Sequence, residues 1–252
     1  MLTRFIKSLA SGNLKVGLLE LFVLVLGLFM GFQLDRWNEE RLRQQNAEIY
    51  VQQLSNDLQA DLTGSQWRID MLLQVKQHGL NALKLWDDAP IDKPSDLVVS
   101  LYQASQIYPF VASMATYEVL KSTANVDLVG DASTRSGLFL YYNSHEVNRA
   151  AIGGAPQYRL TVHGIIPFQV QELIRGRCAY LVPGLTTTDQ LTDTCDIEIS
   201  KEQTRRILAS AREHPSLLNE LHQKLSQDRI LRDLYASQVV GARTLTEMLT
   251  SP

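Results

Sequence analysis

The sequence predicts an all-α protein in which an N-terminal transmembrane helix continues into a long amphipathic helix, itself packed in an antiparallel helical bundle. Three observations lead there. Val16 to Leu34 reads V-G-L-L-E-L-F-V-L-V-L-G-L-F-M-G-F-Q-L, with one ionisable side chain; as helix it reaches roughly 28 Å, the thickness of a hydrocarbon core. Beyond it, apolar residues step mainly by three and four through Ala47, Val51, Leu54, Leu58, Leu62, Ile69, Leu72, Leu80 and Leu83, with no proline before Pro90. Strand signals are scarce, because Ala179 to Val182 and Ile197 to Ile199 are too short for a sheet.

The apolar run divides the chain into a cytoplasmic tail (1–15), an anchor (16–34) and a helical ectodomain (35–252). A buried core helix would show a polar face, yet Leu21 to Phe32 has none. A cleaved signal would end in small residues, and this run passes into Gln33, Asp35, Arg36 and Trp37. A pilin-type signal needs glycine five residues before its glutamate, where Lys15 stands before Glu20. Arg4, Lys7 and Lys15 precede the run without an acid, while Arg36, Arg41 and Arg43 follow among Asp35, Glu39, Glu40 and Glu48. Basic residues tie, so the orientation rests on the short basic tail remaining in the cytoplasm, which places the ectodomain in the periplasm.

Within the anchor, Gly17, Glu20, Leu24, Gly27 and Gly31 recur at three- and four-residue steps. Gly27 and Gly31 form a small-xxx-small pair that suits close approach of a second membrane helix, the expected route to a homodimer; glycine is also simply common in such helices. Glu20 is costly inside the apolar zone, so it faces the interface or hydrogen-bonds across a dimer when protonated. Trp37, with Arg36 and Arg41, forms an interfacial collar whose ring and cations suit lipid headgroups.

Further along, Gly64 and Gly79 are expected bends, and Glu39, Arg43, Asp57, Asp61 and Lys76 are read as a solvated face. Asp87 to Pro94 is a linker, after which Ser95 caps a helix to about Ile107. Ala115 to Thr123 is a short helix, and Asp131 or Ser133 opens another to about Ala151. Gly153 to Pro156 breaks the chain before a helix that continues to Ile174 despite Pro167. Ser200 and Gln203 form a capping box for a helix to Glu213. Pro215 precedes a last helix, Ser216 to Leu249, expected to lie along the helix after the anchor.

From Gly27 the chain reads G-L-F-M-G-F-Q-L-D-R-W-N-E-E-R to Arg41, with Glu20 seven residues ahead; Thr116, Tyr117, Glu118, Lys121, Ser122 and Thr123 are followed by Asp127, Arg135 and Tyr141-Tyr142-Asn143. These two stretches resemble an uncharacterised family of bacterial single-pass inner-membrane proteins. The resemblance covers about the first 145 residues and implies an inner-membrane protein of unknown function with its N-terminus in the cytoplasm. Asp35 and Arg36 replace the family's asparagines, and Gly31 replaces an alanine. Ala124 stands where the family has glycine, so Asn125 is expected to take the left-handed conformation there.

Cys178 and Cys195 are the only cysteines, in a loop at Gly176 to Asp196. In an oxidising periplasm they close that loop, for about 3 kcal/mol in the chain-entropy account; in a reducing cytoplasm they stay free thiols. His78, His145, His163, His214 and His222 are scattered without metal-ligand spacing and read as surface or capping residues. G-x-S-x-G, P-loop and G-x-G-x-x-G motifs are missing, so no enzyme, cofactor or metal is expected. From Asp35 onward 21 basic and 26 acidic residues leave a formal charge of −5, which argues against nucleic acid.

The candidate groove gathers Tyr108, Tyr117, Glu118, Lys121 and Tyr141; the alternative is that the tyrosines pack as core and Glu118 pairs with Lys121. Two functions stay open: a bilayer-anchored scaffolding or interaction module with an unknown protein partner, or a small-molecule sensor or binding domain acting through a partner.

Overall fold

Helix α1 (Leu14–Leu83) runs for 70 residues without a break, about 105 Å at 1.5 Å per residue. The computed structural model describes residues 14–87, 92–152, 154–181, 189–192 and 195–250. The expected cytoplasmic tail lies almost wholly outside the described residues, as do the middle of the Asp87–Pro94 linker, Gly153 and much of the cysteine loop. Large apolar side chains from Leu18 to Leu34 are exposed, and this part of α1 is long and apolar enough to cross a membrane. Burial begins at Leu54 and follows one face through Leu58, Asp61, Ser65 and Leu72.

That face is covered by the last helix, α8 (Leu217–Thr250), which runs antiparallel to α1. Leu54 packs with Leu249, Ser65 Oγ donates to Gln238 Oε1 at 3.4 Å, and Leu225 lies against Gly79. Gly64 and Gly79 do not interrupt the helix. Gly79 serves close approach instead: a Cβ there would stand 2.6 Å from Leu225 Cδ2.

Shorter helices pack on this pair as two larger cores, and a small third cluster, Met71 and Val75 of α1 with Leu191, lies apart from both. Toward the C-terminal end of α1, helices α2 (Pro94–Gln103), α5 (Gln157–Ile165), α6 (Phe168–Arg177) and α7 (Lys201–Glu213) bury Leu101, Tyr158, Ile174 and Ile207 with Leu221 of α8. Nearer the apolar segment, α3 (Ala115–Ser122) and α4 (Ala132–Ile152) bury Tyr117, Leu120, Leu138 and Tyr142 against Leu54, Leu58 and Leu245. Arg43 of α1 pairs with Asp127, in the short 3-10 turn after α3.

Local chemistry sets the boundaries. Asp131 Oδ1 accepts from the Thr134 amide at 2.8 Å and opens α4. Ser200 Oγ accepts from the Gln203 amide at 3.1 Å and opens α7. Helix α2 begins at Pro94 with no Ser95 cap and stops at Gln103, four residues short of expectation, because the Ser105 hydroxyl takes the Tyr102 carbonyl at 2.6 Å and redirects the chain. Pro167 splits the helix expected through Ile174: Ile166 before it is extended, and Gln171 Nε2 staples the two pieces by donating to the carbonyls of His163 and Ile166 at 2.9 and 2.7 Å. Among the described residues one small ribbon forms, β1 (Ala179–Leu181) antiparallel to β2 (Asp189–Leu191), in a place where no sheet was expected. Cys178 and Cys195 are disulfide-bonded beside it, with Cα atoms 5.2 Å apart. The bond and the Thr192 amide, which donates to Cys178 O at 3.0 Å, close the base of this hairpin.

Helix α3 ends in a Schellman turn. The Asn125 amide donates to Leu120 O at 2.9 Å and the Ala124 amide to Lys121 O at 3.2 Å. The left-handed residue is Ala124 itself, at φ +54°, whereas Asn125 has φ −101°; the backbone pattern fixes the position, so the neighbouring asparagine cannot substitute. Ala124→Gly is expected to raise unfolding free energy by up to about 1 kcal/mol, since glycine carries no Cβ penalty there; urea melts of the two proteins check it.

Candidate functional site

Between the two cores, α1 and α8 present polar side chains to each other. Residues 104–114 have no regular structure and cross this waist as a strap. Asp61 Oδ1 accepts from the Ser113 amide at 2.8 Å, Asp57 Oδ2 from the Thr116 amide at 3.3 Å, and the Tyr235 hydroxyl donates to Tyr108 O at 2.9 Å. Arg68 Nε donates to Pro109 O at 2.9 Å while its guanidinium lies 5.1 Å from the centroid of the Phe110 ring. The Phe110 ring also stacks on His145, 4.9 Å away, whose Nδ1 accepts from Gln238 Nε2 at 2.9 Å.

Burial governs the protonation states here. Asp61 is 2% exposed, and burial raises its pKa against the opposing hydrogen bonds from Ser113 and from the Tyr141 hydroxyl, which donates at 3.0 Å. Burial also raises the Tyr141 pKa, so its hydroxyl stays a proton donor. His145 is held neutral, its pKa pushed down to about 4 by desolvation. In α8, Lys224 and Asp228 form a buried ion pair at 2.5 Å. Asp61, Arg68 and Tyr235 hold the strap, and the Tyr141–Asp61, Ser65–Gln238 and Gln238–His145 bonds tie α1, α4 and α8 together. Among the described residues no three His, Cys, Asp or Glu side chains gather as a metal site.

Beside the strap opens a cleft of about 410 Å³, lined by Leu72 of α1, Ile107 to Phe110, Gly154 to Pro156, and Gln227, Asp228, Ile230, Leu231, Leu234 and Tyr235 of α8. Its size falls within the range of small-molecule sites, roughly 300–1,000 Å³.

Gly27 and Gly31 have open space where a Cβ would point, and one Glu20 carboxylate oxygen has no hydrogen-bond partner. Trp37 is 65% exposed with the Arg41 guanidinium 6.0 Å over its ring, and Arg36 is exposed. Tyr117 and Tyr141 are buried and joined through Tyr142, which stacks on Tyr117 at 4.5 Å and meets Tyr141 edge-on at 5.2 Å. Glu118 and Lys121 pair at 2.9 Å, both about half exposed. Tyr108 lies elsewhere, edge-on to Trp67 at 5.3 Å.

Sequence reasoning missed the waist. Asp61 was placed on the solvated face and His145 on the surface, yet both are buried. The usable signal was the step pattern of Leu54, Leu58, Asp61, Ser65, Arg68 and Leu72, which keeps the polar residues on the apolar stripe. No family model, curated protein or solved structure matches this chain.

Because the folded His145 pKa lies below the ordinary 6.5, the unfolded chain binds the proton first as pH falls. His145 therefore contributes full stability above pH 6.5 and loses it progressively toward pH 4, by up to about 3 kcal/mol. The raised Asp61 pKa works in the opposite sense, favouring the fold at low pH. Urea melts at pH 7 and 4.5 are expected to show a much smaller acid loss for His145→Asn, which keeps an acceptor for Gln238, than for the unaltered protein.

Proposed function

We propose that the chain is a membrane-anchored interaction or scaffolding module of a bacterial inner membrane, with its N-terminal tail cytoplasmic and its helical body periplasmic. The arrangement of faces on α1 carries this reading. Twenty-seven residues separate Gly27 from Leu54 and Gly31 from Leu58, about 7.5 turns. The glycine seam therefore lies opposite the face that holds the body. Eighteen residues, about five turns, relate Gly17 to Asp35, Glu20 to Asn38, Leu24 to Leu42, Gly27 to Gln45 and Gly31 to Ile49. The same face thus continues beyond the apolar segment with one acid, Asp35, at its start and uncharged residues after it, Leu42 being 46% and Ile49 53% exposed.

Two copies can meet along this face with their bodies pointing away from each other, and a protonated Glu20 would find its hydrogen-bond partner across the seam. The collar of Trp37, Arg36 and Arg41 would sit at headgroup level. The resemblance at Gly27 to Arg41 supports an inner-membrane location, and the Cys178–Cys195 bond supports an oxidising compartment. A second reading, a body that binds a small molecule and acts through a partner, is favoured by the cleft beside the strap.

Gly31→Ile and Ile49→Glu are each expected to weaken self-association several-fold in a membrane two-hybrid assay. Association at the unaltered level in both would remove the dimer, and crosslinking in native membranes identifies any other partner.

A further inference from the structure

Between Leu42 and Gln66 the open side of α1 carries almost no charge. Four charged residues fall in this stretch, and the body uses three of them: Arg43 pairs with Asp127, Asp57 accepts from the Thr116 amide, and Asp61 accepts from the Ser113 amide and the Tyr141 hydroxyl. The fourth, Glu48, is exposed. A helix face open to water ordinarily carries charged residues; this one carries amides.

Two rows repeat every seven residues along it. Leu42, Ile49, Asn56 and Thr63 form one and Gln45, Gln52, Gln59 and Gln66 the other, so the stripe advances by alternating steps of three and four. All eight side chains are exposed, and Glu48 falls beside the stripe rather than in it. Within the chain the amides bond along the helix, Gln52 Nε2 donating to Asn56 Oδ1 at 3.2 Å and Gln59 Nε2 to Thr63 Oγ1 at 3.4 Å. An amide has donors and acceptors for more than one bond, so each glutamine keeps capacity for a second helix.

The glutamine row runs back by sevens through Asn38 to Gly31, Leu24 and Gly17 of the anchor. A seven-residue repeat winds two helices left-handedly about each other, and at about 20° per heptad the stripe turns by roughly 60° from Leu42 to Thr63. When two such helices run parallel about a two-fold axis, each residue of the seam meets its own copy. A charge there would meet a like charge, whereas an amide both donates to its counterpart and accepts from it. The stripe has that composition, and it stops where charge returns: Asp35 stands one heptad before Leu42 and Asp70 one heptad after Thr63.

We infer that the occupant of this stripe is a second copy of the chain, the two α1 helices forming a parallel, left-handed coiled coil from Leu42 to Gln66. This rests on the dimer proposed above and carries its contact out of the bilayer along the helix that holds the body. Leu54 and Leu58, which are buried in the body, lie off the stripe, so both bodies stay outside the coil. Anchoring both chains in one bilayer raises their effective concentration, so a seam of amides with two apolar pairs, at Leu42 and Ile49, is sufficient.

The test is disulfide crosslinking of the full chain in phosphatidylcholine liposomes, the native cysteines being bonded to each other. Gln52→Cys and Gln59→Cys, one at a time, are expected to give dimers on mild oxidation, and Gln44→Cys, exposed but outside both rows, about tenfold more slowly. A nitroxide on Gln59→Cys is expected to show dipolar broadening between copies that dilution with unlabelled chain removes. Gln52→Glu combined with Gln59→Glu is expected to weaken self-association, read by energy transfer between labelled chains, about tenfold. Equal crosslinking rates at all three positions, or self-association unchanged by the paired glutamates, overturn the coil; self-association that still falls with Gly31→Ile then leaves the contact in the anchor alone. Absence of self-association in the unaltered chain overturns the coil and the dimer together.

Discussion

The antiparallel seam between α1 and α8 is the constraint on which the rest of the molecule depends. It aligns Leu54 with Leu249, Ser65 with Gln238 and Gly79 with Leu225, so one register is read by an apolar contact, a hydrogen bond and a steric notch. A slip of one residue would move Asp61 off the Tyr141 hydroxyl and the Ser113 amide and leave a buried carboxylate without donors. Close approach on the other side of α8 follows the same logic, since a Cβ on Gly241 would stand 3.1 Å from the Tyr141 ring and one on Gly137 2.9 Å from Leu225's counterpart in the second core, Leu245.

Because the seam is long, it supports two larger hydrophobic cores in series, and between them α1 and α8 carry a buried polar waist beside the small Met71–Val75–Leu191 cluster. The strap of residues 104–114 is tied there through its backbone to Asp61, Arg68 and Tyr235, and Asp57 holds the first turn of α3 just after it. Tying it also shapes the cleft, since Tyr108 and Phe110 belong to the strap and form one wall. In the proposed arrangement the waist stands well beyond the bilayer surface: Leu72 is 35 residues past Trp37, about 50 Å along a straight helix. A site at that height would face the compartment or a partner rather than lipid.

Much of the architecture was legible because it rests on periodicity. The apolar run, the stripe from Val51 to Leu72, the Ser200 cap and the last helix are local signals that the packed structure follows, whereas Leu80 of the same stripe is 44% exposed. The failures are where distant residues decide. Asp61 looks like one more acid on a polar face until Tyr141, 80 residues later, supplies its donor. The hairpin at Ala179 is too short to predict by itself and depends on a disulfide and on Thr192. At Ala124 a backbone motif imposes a left-handed residue on a side chain that disfavours it, and no composition rule selects alanine over its asparagine neighbour. The cleft was invisible for a related reason, since its walls come from three separated stretches of chain that carry no common motif.

The account stands on one unbroken helix linking the apolar segment to the body. Spin labels at Gln33→Cys and Gln59→Cys, both exposed positions, test it most directly, with the native cysteines already bonded to each other. They are 26 residues apart, about 39 Å of straight helix along the axis. Pulsed electron–electron distance measurement on the full chain in nanodiscs is predicted to give a narrow distribution near that length. A broad distribution, or one centred well below it, would mean a hinge between anchor and body and would contradict the account.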